Sequence, residues 1–311
     1  MSVPELTRPP RLSPGDRVAV VAPSGPVPKD RLEKGCAILR RWGLEVVVAP
    51  HVTDVHDRFA YLAGTDRDRA ADLQSAWLDS SVAGIFCARG GYGVQRMLDL
   101  LDWSSMRDTD PKVLAGFSDV TALHEAFATQ LGVATLHAPM VAAHSFVSDE
   151  PTAEHLRRTL FEPESVMTLT SPTAETLLPG RARGVTVGGC VSLLADDIGT
   201  PTARSGVDGG LLVLEDLEEE LYRLDRIFTQ LLRSGWMDGV AGVALGSWAE
   251  CEPADRMRDL VLDRFGGLGV PIVWELGFGH CPSTLTVPLG LPATLDADAA
   301  TLTMDVPALA T

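Results

Sequence analysis

The chain has 311 residues, a size for two domains or one large one, with ample material for a buried core. Its 45% apolar and 22% charged residues are those of an ordinary soluble globular protein. A formal net charge of −16 would repel a nucleic-acid backbone and gives no long-range pull on an anionic substrate. Nucleic acid is therefore not an expected partner. The cysteines (Cys36, Cys87, Cys190, Cys251, Cys281) are scattered without C-x-x-C spacing, which argues against disulfides or a zinc knuckle and for a reducing compartment. The start, Met1–Leu6, lacks a charged-then-apolar signal pattern, and no apolar run approaches membrane-spanning length. A cytoplasmic protein with no membrane partner is expected.

The first half alternates strand and helix patterns. Arg17–Ala22 reads as a strand, Arg31–Trp42 as a helix closed by Gly43, and Leu44–Val48 as a strand. A helix over Asp66–Leu78, a strand over Val82–Ala88 and a helix over Val94–Leu101 follow. Val113–Gly116 is a strand and Val120–Gln130 a helix. Such alternation implies a parallel, doubly wound sheet, whose ligands bind beyond the carboxyl ends of the strands. Arg89–Gly93 and Ser118 would sit there.

Residues 1–163 are read as this first domain, 164–183 as a Pro/Ser/Thr-rich linker, and 184–311 as a second domain. Within the second, strands are expected at Gly184–Val187, Leu211–Leu214, Val240–Leu245 and Val270–Trp274. Helices are expected at Val191–Ala195, Leu217–Leu232 and Ala254–Phe265. Asp216 and Glu219 are spaced as a capping box for the second of these helices. Ser283–Val287 and Ala300–Met304 read as a pair of short closing strands.

The run Val113-Leu114-Ala115-Gly116-Phe117-Ser118-Asp119-Val120 is a buried strand, a sharp polar turn and a helix start. Free N–H groups at such a turn favour developing negative charge, a setting for a nucleophilic serine. Val120 occupies the place of the second glycine in G-x-S-x-G, so that motif is not matched. Serine is also a favoured helix N-cap, and both readings of Ser118 stand. A nucleophile needs a base and an orienting acid. His124 lies about 240° around the helix from the serine and is rejected. His51, His56 and His155 read as solvated, while His137 and His144 could border the cleft. His280, in Leu276-Gly277-Phe278-Gly279-His280-Cys281-Pro282, is either aimed by its tight loop or simply bonded to backbone. Glu215 ends a strand. It is either an acid pointing into the cleft or a first-turn acid favoured by a helix dipole.

Arg89-Gly90-Gly91-Tyr92-Gly93 follows a strand and could bring backbone N–H groups against a ligand as an oxyanion hole or anion cradle. Gly91–Arg96 is a near miss to the dinucleotide fingerprint G-x-G-x-x-G, with Arg96 in place of the third glycine. Neither a nicotinamide cofactor nor a catalytic metal is expected, since no fingerprint for either is present.

Taken in order, these segments resemble the serine L,D-carboxypeptidases of the muramoyltetrapeptide carboxypeptidase family, peptidase family S66. The matching pieces include Val20–Pro26, Ala88–Gly93, Gly116–His124 and His137–Met140. Gly188–Leu194, Leu214–Asp216 with Tyr222–Arg226, and Gly279-His280 with Val287–Gly290 complete the set. The resemblance implies an N-terminal Rossmann-like, flavodoxin-like parallel sheet domain and a C-terminal mixed α/β domain with a small barrel-like sheet. It also implies a homodimer and a catalytic Ser118, Glu215 and His280. The backbone N–H groups of Asp119 and Gly91 (with Gly90 as the alternative) would form the oxyanion hole. Arg89 and Tyr92 are candidate substrate contacts, Arg89 for a terminal carboxylate. The implied reaction releases D-alanine from murein tetrapeptides during wall recycling.

Two departures stand out: Cys190 replaces the usual asparagine after Gly188-Gly189, and Phe117 replaces a commoner tyrosine. A related branch hydrolyses microcin-type peptidyl nucleotides and carries a longer loop after the Gly-Gly turn. Leu193–Pro201 has no such insertion. That immunity-type hydrolase and a non-catalytic ligand-binding homologue are the alternatives.

Overall fold

A computed structural model describes residues 2–251 and 253–311. Met1, the first residue of the stretch read above for a signal pattern, lies outside them. The first half carries strands β1 (Arg17–Val21), β2 (Glu45–Val48), β3 (Val82–Cys87), β4 (Val113–Gly116) and β5 (Thr135–His137). Helices α1 (Lys29–Arg41), α2 (Asp66–Leu78), α3 (Val94–Met97), α4 (Trp103–Arg107), α5 (Thr121–Ala126), α6 (His144–Ser148) and α7 (Glu150–Phe161) alternate with or follow them. The second half carries β6 (Thr168–Leu169), β7 (Glu175–Leu178), β8 (Arg181–Cys190), β9 (Gly210–Leu217), β10 (Gly242–Ala249) and β11 (Ile272–Trp274). β12 (Val287–Leu289), β13 (Pro292–Asp296) and β14 (Thr301–Met304) complete the strands. Helices α8 (Val191–Asp197), α9 (Leu221–Arg233) and α10 (Ala254–Phe265) belong to the same half.

Two sheets result. The first has order β12-β5-β4-β3-β1-β2, parallel from β5 to β2, as the βα alternation dictates. Its inner strands are largely apolar because both faces are covered: Val18 and Val20 of β1 point into one core, Ala19 and Val21 into the other, while edge strand β2 stays largely exposed. The second sheet has order β6-β14-β13-β8-β9-β10-β11-β7 and is mixed, with β8 to β11 parallel. It curls into a half-barrel. The curl brings edge strand β7 to the far side, where Thr176 Oγ1 donates to Ala297 O at 2.6 Å, just past β13. Its inner face is filled by residues such as Leu169, Val213, Val273, Leu295 and Leu302.

Three expectations need correction. The stretch 164–183 is not a free connection, since it contains β6 and β7, both edge strands of the second sheet. Edge strands need only one partner, so short polar sequences suffice there. The closing strands are β13 and β14, paired with each other. Val287 instead begins β12, which crosses back and pairs antiparallel with β5, in register Val287↔His137. Finally, Asp216 does not cap the helix expected after it. β9 runs on through Leu217, and α9 begins only at Leu221 behind Glu220. The Asp216 carboxylate accepts from Ser192 N in the first turn of α8 at 2.8 Å and from Leu217 N at 2.9 Å. A capping-box spacing was present, but a tertiary partner claimed the acid.

The two halves meet where β8 ends. Gly189 has φ +144°, and a Cβ there would run into the side chain of Thr121, the first residue of α5. The hydroxyl of Thr121 in turn accepts from Cys190 N at 3.0 Å. Further along, Arg204 Nη2 donates to the buried Glu125 of α5 at 3.0 Å. The helix that follows Ser118 is thus gripped by the second half. We expect Gly189→Ala to lose about 2–4 kcal/mol, from the left-handed backbone and the overpacked contact together. Denaturant unfolding measures this, and a loss below about 1 kcal/mol would contradict the packing account.

Candidate active site

Ser118 stands just past β4, where Phe117 is extended and Ser118 itself turns to φ 65°. A non-glycine residue held at positive φ stores backbone strain of about 1–3 kcal/mol, and the surrounding packing must supply it. Here the residue is nearly buried, and Gly90 lies against it. A Cβ at Gly90 would come within 2.9 Å of Ser118 Cβ and 3.0 Å of Oγ. The next residue, Asp119, is a buried strut whose carboxylate accepts from Val94 N at 3.0 Å, tying the serine turn to the end of the glycine loop. Burial pushes the Asp119 carboxyl up to about 6, although hydrogen bonds and the Arg69 charge favour its anion.

Arg69, on α2, completes this frame from below. It is buried, and its guanidinium donates to the carbonyls of Pro23 and Gly93 (2.8 Å for the latter) and to Asp66. It links the turns after β1 and β3, the two loops that flank the serine. Sequence reasoning missed it because an arginine inside a polar-looking helix carries no periodic signal.

Glu215 and His280 come from the second half. Glu215 lies on β9 opposite Cys190 of β8 and has no solvent exposure. His280 lies in the loop after β11, with its Nδ1 2.6 Å from Glu215 Oε2, while its own backbone N–H approaches the same oxygen at 3.3 Å. The neighbouring Gly279, at φ +89°, makes this possible, since a Cβ there would sit 2.5 Å from Oε2. Ser247 Oγ on β10 donates to His280 O at 3.0 Å and fixes the loop from a third strand. Burial alone would raise the Glu215 carboxyl, but the His280 charge and the contact with His137 hold it down to about 2. Burial works against the His280 cation. The Glu215 charge and hydrogen bond outweigh it, so the imidazole titrates above its ordinary value.

Ser118, Gly90, Gly91, Arg89, Gly279 and His280 line one cleft of about 1110 Å³ between the two halves. The ring of Phe117, immediately before the serine, lies 4.6 Å centroid to centroid from the His280 ring. The structure therefore gathers the serine, the imidazole and the acid that were picked out separately. An imidazole fixed by a buried carboxylate, lining the same cleft as a strained hydroxyl, can act as a general base towards it once the two come within hydrogen-bond reach. Larger pockets of this kind are the default location for a ligand.

The other residues distribute as follows. Arg89 lines the cleft, exposed, and donates from Nη1 to Pro26 O at 2.7 Å. Tyr92 stands outside the cleft lining, 46% exposed, against Tyr61. His124 is buried and bonded to Gly116 O at 2.9 Å, and burial together with nearby His137 lowers it to about 3. His144 lines the cleft. His51, His56 and His155 are not freely solvated. His51 pairs with Asp72 at 2.8 Å, His56 Nδ1 accepts from Phe59 N at 3.2 Å, and His155 Nδ1 accepts from Thr286 N at 3.1 Å. Cys190 is buried and its thiol donates to Asp216 Oδ1 at 3.2 Å. Burial and the adjacent Glu215 push Asp216 up to about 6. Among the described residues, no group of three or more His, Cys, Asp or Glu side chains is placed to hold a metal ion, and no helix is long and apolar enough to cross a membrane.

Models of the LD-carboxypeptidase N-terminal and C-terminal domains match residues 18–138 and 183–295. A Streptomyces coelicolor protein named "Putative carboxypeptidase" is 66% identical over 98% of this chain and 98% of its own. The murein tetrapeptide carboxypeptidase of Pseudomonas aeruginosa is 32% identical over 90% of this chain and 93% of its own. The solved structure of the microcin C7 self-immunity protein MccF with glutamyl sulfamoyl guanosine has the same fold. Its TM-score is 0.88 at 20% identity, covering 97% of this chain and 99% of that one. The chain belongs to the LD-carboxypeptidase family, peptidase family S66.

Proposed function

We propose that this family member is a serine carboxypeptidase that releases the terminal D-alanine of murein tetrapeptides, with Ser118 as nucleophile, His280 as base and Glu215 as orienting acid. The observation that carries the reading is the 2.6 Å contact between His280 Nδ1 and the wholly buried Glu215, at the wall of the cleft that holds Ser118. The murein carboxypeptidase name of a relative at 32% identity supports the substrate.

In this mechanism His280 Nε2 takes the proton from Ser118 Oγ as the oxygen attacks the carbonyl carbon before D-alanine. Glu215 holds the imidazole in one tautomer and stabilises its cation. The N–H groups of Asp119 and Gly91 receive the oxyanion, each donor typically contributing about 2.7–4 kcal/mol in the transition state. The C–N bond then breaks, and the departing amine takes the proton from His280. Water, deprotonated by the same imidazole, hydrolyses the acyl-serine and returns the enzyme. Arg89, exposed in the cleft lining, would receive the terminal carboxylate. The family resemblance supports a cytoplasmic homodimer acting on recycled wall fragments.

The MccF-like fold supports a second reading, hydrolysis of a peptidyl or aminoacyl nucleotide by the same three residues. Against it, α8 runs from Val191 to Asp197 and passes through a short turn, without room for an added loop before Pro201. Mass spectrometry of the purified protein with a meso-diaminopimelate tetrapeptide should show tripeptide and free D-alanine. Ser118→Ala should abolish that release while leaving the fold intact. Retained release in Ser118→Ala would remove the nucleophile. An intact tetrapeptide beside a cleaved aminoacyl sulfamoyl or phosphoramidate nucleotide would favour the second reading.

The titration of His280 gives a separate expectation. Its neutral form is the active base, so kcat/KM falls as pH drops through its pKa, which lies above the ordinary imidazole value of about 6.5. The acid limb of the pH profile should therefore fall above that value. Glu215→Gln should move it lower and reduce kcat by about 10⁴-fold, as loss of a triad acid does elsewhere. An acid limb unmoved by Glu215→Gln would contradict the coupling.

A further inference from the structure

The acid Glu215 has two oxygens, and His280 accounts for only one. Oε1 makes no hydrogen bond, although the residue is wholly buried. Facing it at 3.7 Å is Nε2 of His137, itself 1% exposed, and neither nitrogen of that ring has a hydrogen-bond partner. Three buried polar atoms left unsatisfied around one carboxylate is an expensive arrangement, because each unmade bond costs about 1–3 kcal/mol. A separation of 3.7 Å exceeds a hydrogen bond and leaves no space for a bridging water. A shift of under an ångström would close it, and bonds of this kind often tighten only when substrate is bound.

The backbone around His137 is held from two sides. It ends β5 in register with Gly116 of β4 and with Val287 of β12, the strand that crosses back from the second half. Phe117 and Phe278 pack against its ring at 5.5 and 5.8 Å between centroids. These two residues directly precede Ser118 and Gly279, so the elements that carry the serine and the base both wedge the same imidazole. Nothing in the chemistry proposed above uses it.

We propose that His137 is a positioning residue that donates from Nε2–H to Glu215 Oε1, holding the carboxylate ionised and aimed so that its other oxygen serves His280. This rests on the proposed function for its catalytic meaning, but the hydrogen bond itself does not. The titratable groups around the site are His124 on α5, His280 after β11, Cys190 on β8, and Asp216 and Glu218 at and beyond the end of β9. None of these provides a second donor to Oε1. Sharing Oε1 with His137 drains negative charge from the carboxylate. Removing that donor leaves Glu215 reliant on His280 alone, which should retain its proton more tightly.

The test begins with the wild-type protein and ¹⁵N-histidine NMR. His137 should be the Nε2–H tautomer; a ring protonated only on Nδ1 would present a bare nitrogen to the carboxylate and overturn the proposal, whatever the substrate. His137→Phe keeps the ring packing and deletes the donor. The His280 titration should then move up by about one unit, as expected when a hydrogen bond to its partner carboxylate is deleted. His137→Gln, which can still donate, should restore most of the shift. With tetrapeptide, kcat of His137→Phe should fall about tenfold at little change in KM, the scale of one charge-assisted hydrogen bond. A His280 titration in His137→Phe superimposable on wild type would overturn the role. If the tetrapeptide is not hydrolysed at all, the substrate reading fails while both NMR results still decide the role of His137.

Discussion

The structure turns on one buried carboxylate. Glu215 has no contact with solvent, and an ionised acid so placed costs several kcal/mol unless it is paired. Its partner is supplied by a loop about 65 residues further along. Several features that look independent follow from that pairing: the side-chain-free Gly279, the Ser247 bond that pins the His280 carbonyl, and the extension of β9 that carries Glu215 to the cleft. Removing His280 would leave a lone charge in a dry site, which is why the pair must be treated as a unit.

The same constraint explains how two halves become one site. The Ser118 turn belongs to the first sheet, and Glu215 and His280 belong to the second. They meet because β8 ends in two glycines that let Cys190 reach Thr121, one turn beyond Ser118. Cys190 pairs in register with Glu215, so the contact that seats α5 also sets the depth of the acid. β12 makes a second crossing in the same direction and joins the first sheet at His137. The second half thus sets backbone against the first at two places near the cleft, and relative movement there would disturb Ser118, Glu215 and His280 together.

Much of the architecture was legible in the sequence because hydrophobic period and crossover length are local signals. α2 at Asp66–Leu78, β4 at Val113–Gly116 and α10 at Ala254–Phe265 coincide with their sequence readings. What failed was tertiary. The Asp216–Glu219 spacing imitates a capping box, yet the N–H groups of Ser192 and Leu217 claim Asp216. The polar stretch 164–183 resembles a linker because edge strands carry little periodicity in two to four residues. Ser118, Glu215 and His280 could each be picked out by local chemistry, but not their convergence, since strand order is not written in spacing. Arg69 gave no local signal, and His137 could be read only as bordering the cleft, whereas it is buried against Glu215, because the importance of both lies in what other segments bring to them.

Under the proposed function, the central claim is that Ser118 Oγ is the atom activated by the Glu215–His280 pair. The most direct measurement is a crystal structure of the protein after reaction with a fluorophosphonate. The account predicts phosphorus bonded to Ser118 Oγ, a phosphoryl oxygen about 2.7–3.1 Å from the N–H groups of Asp119 and Gly91, and His280 still bound to Glu215. An unmodified Ser118 beside a label on any other side chain, or a His280 ring turned away from both partners, would contradict it.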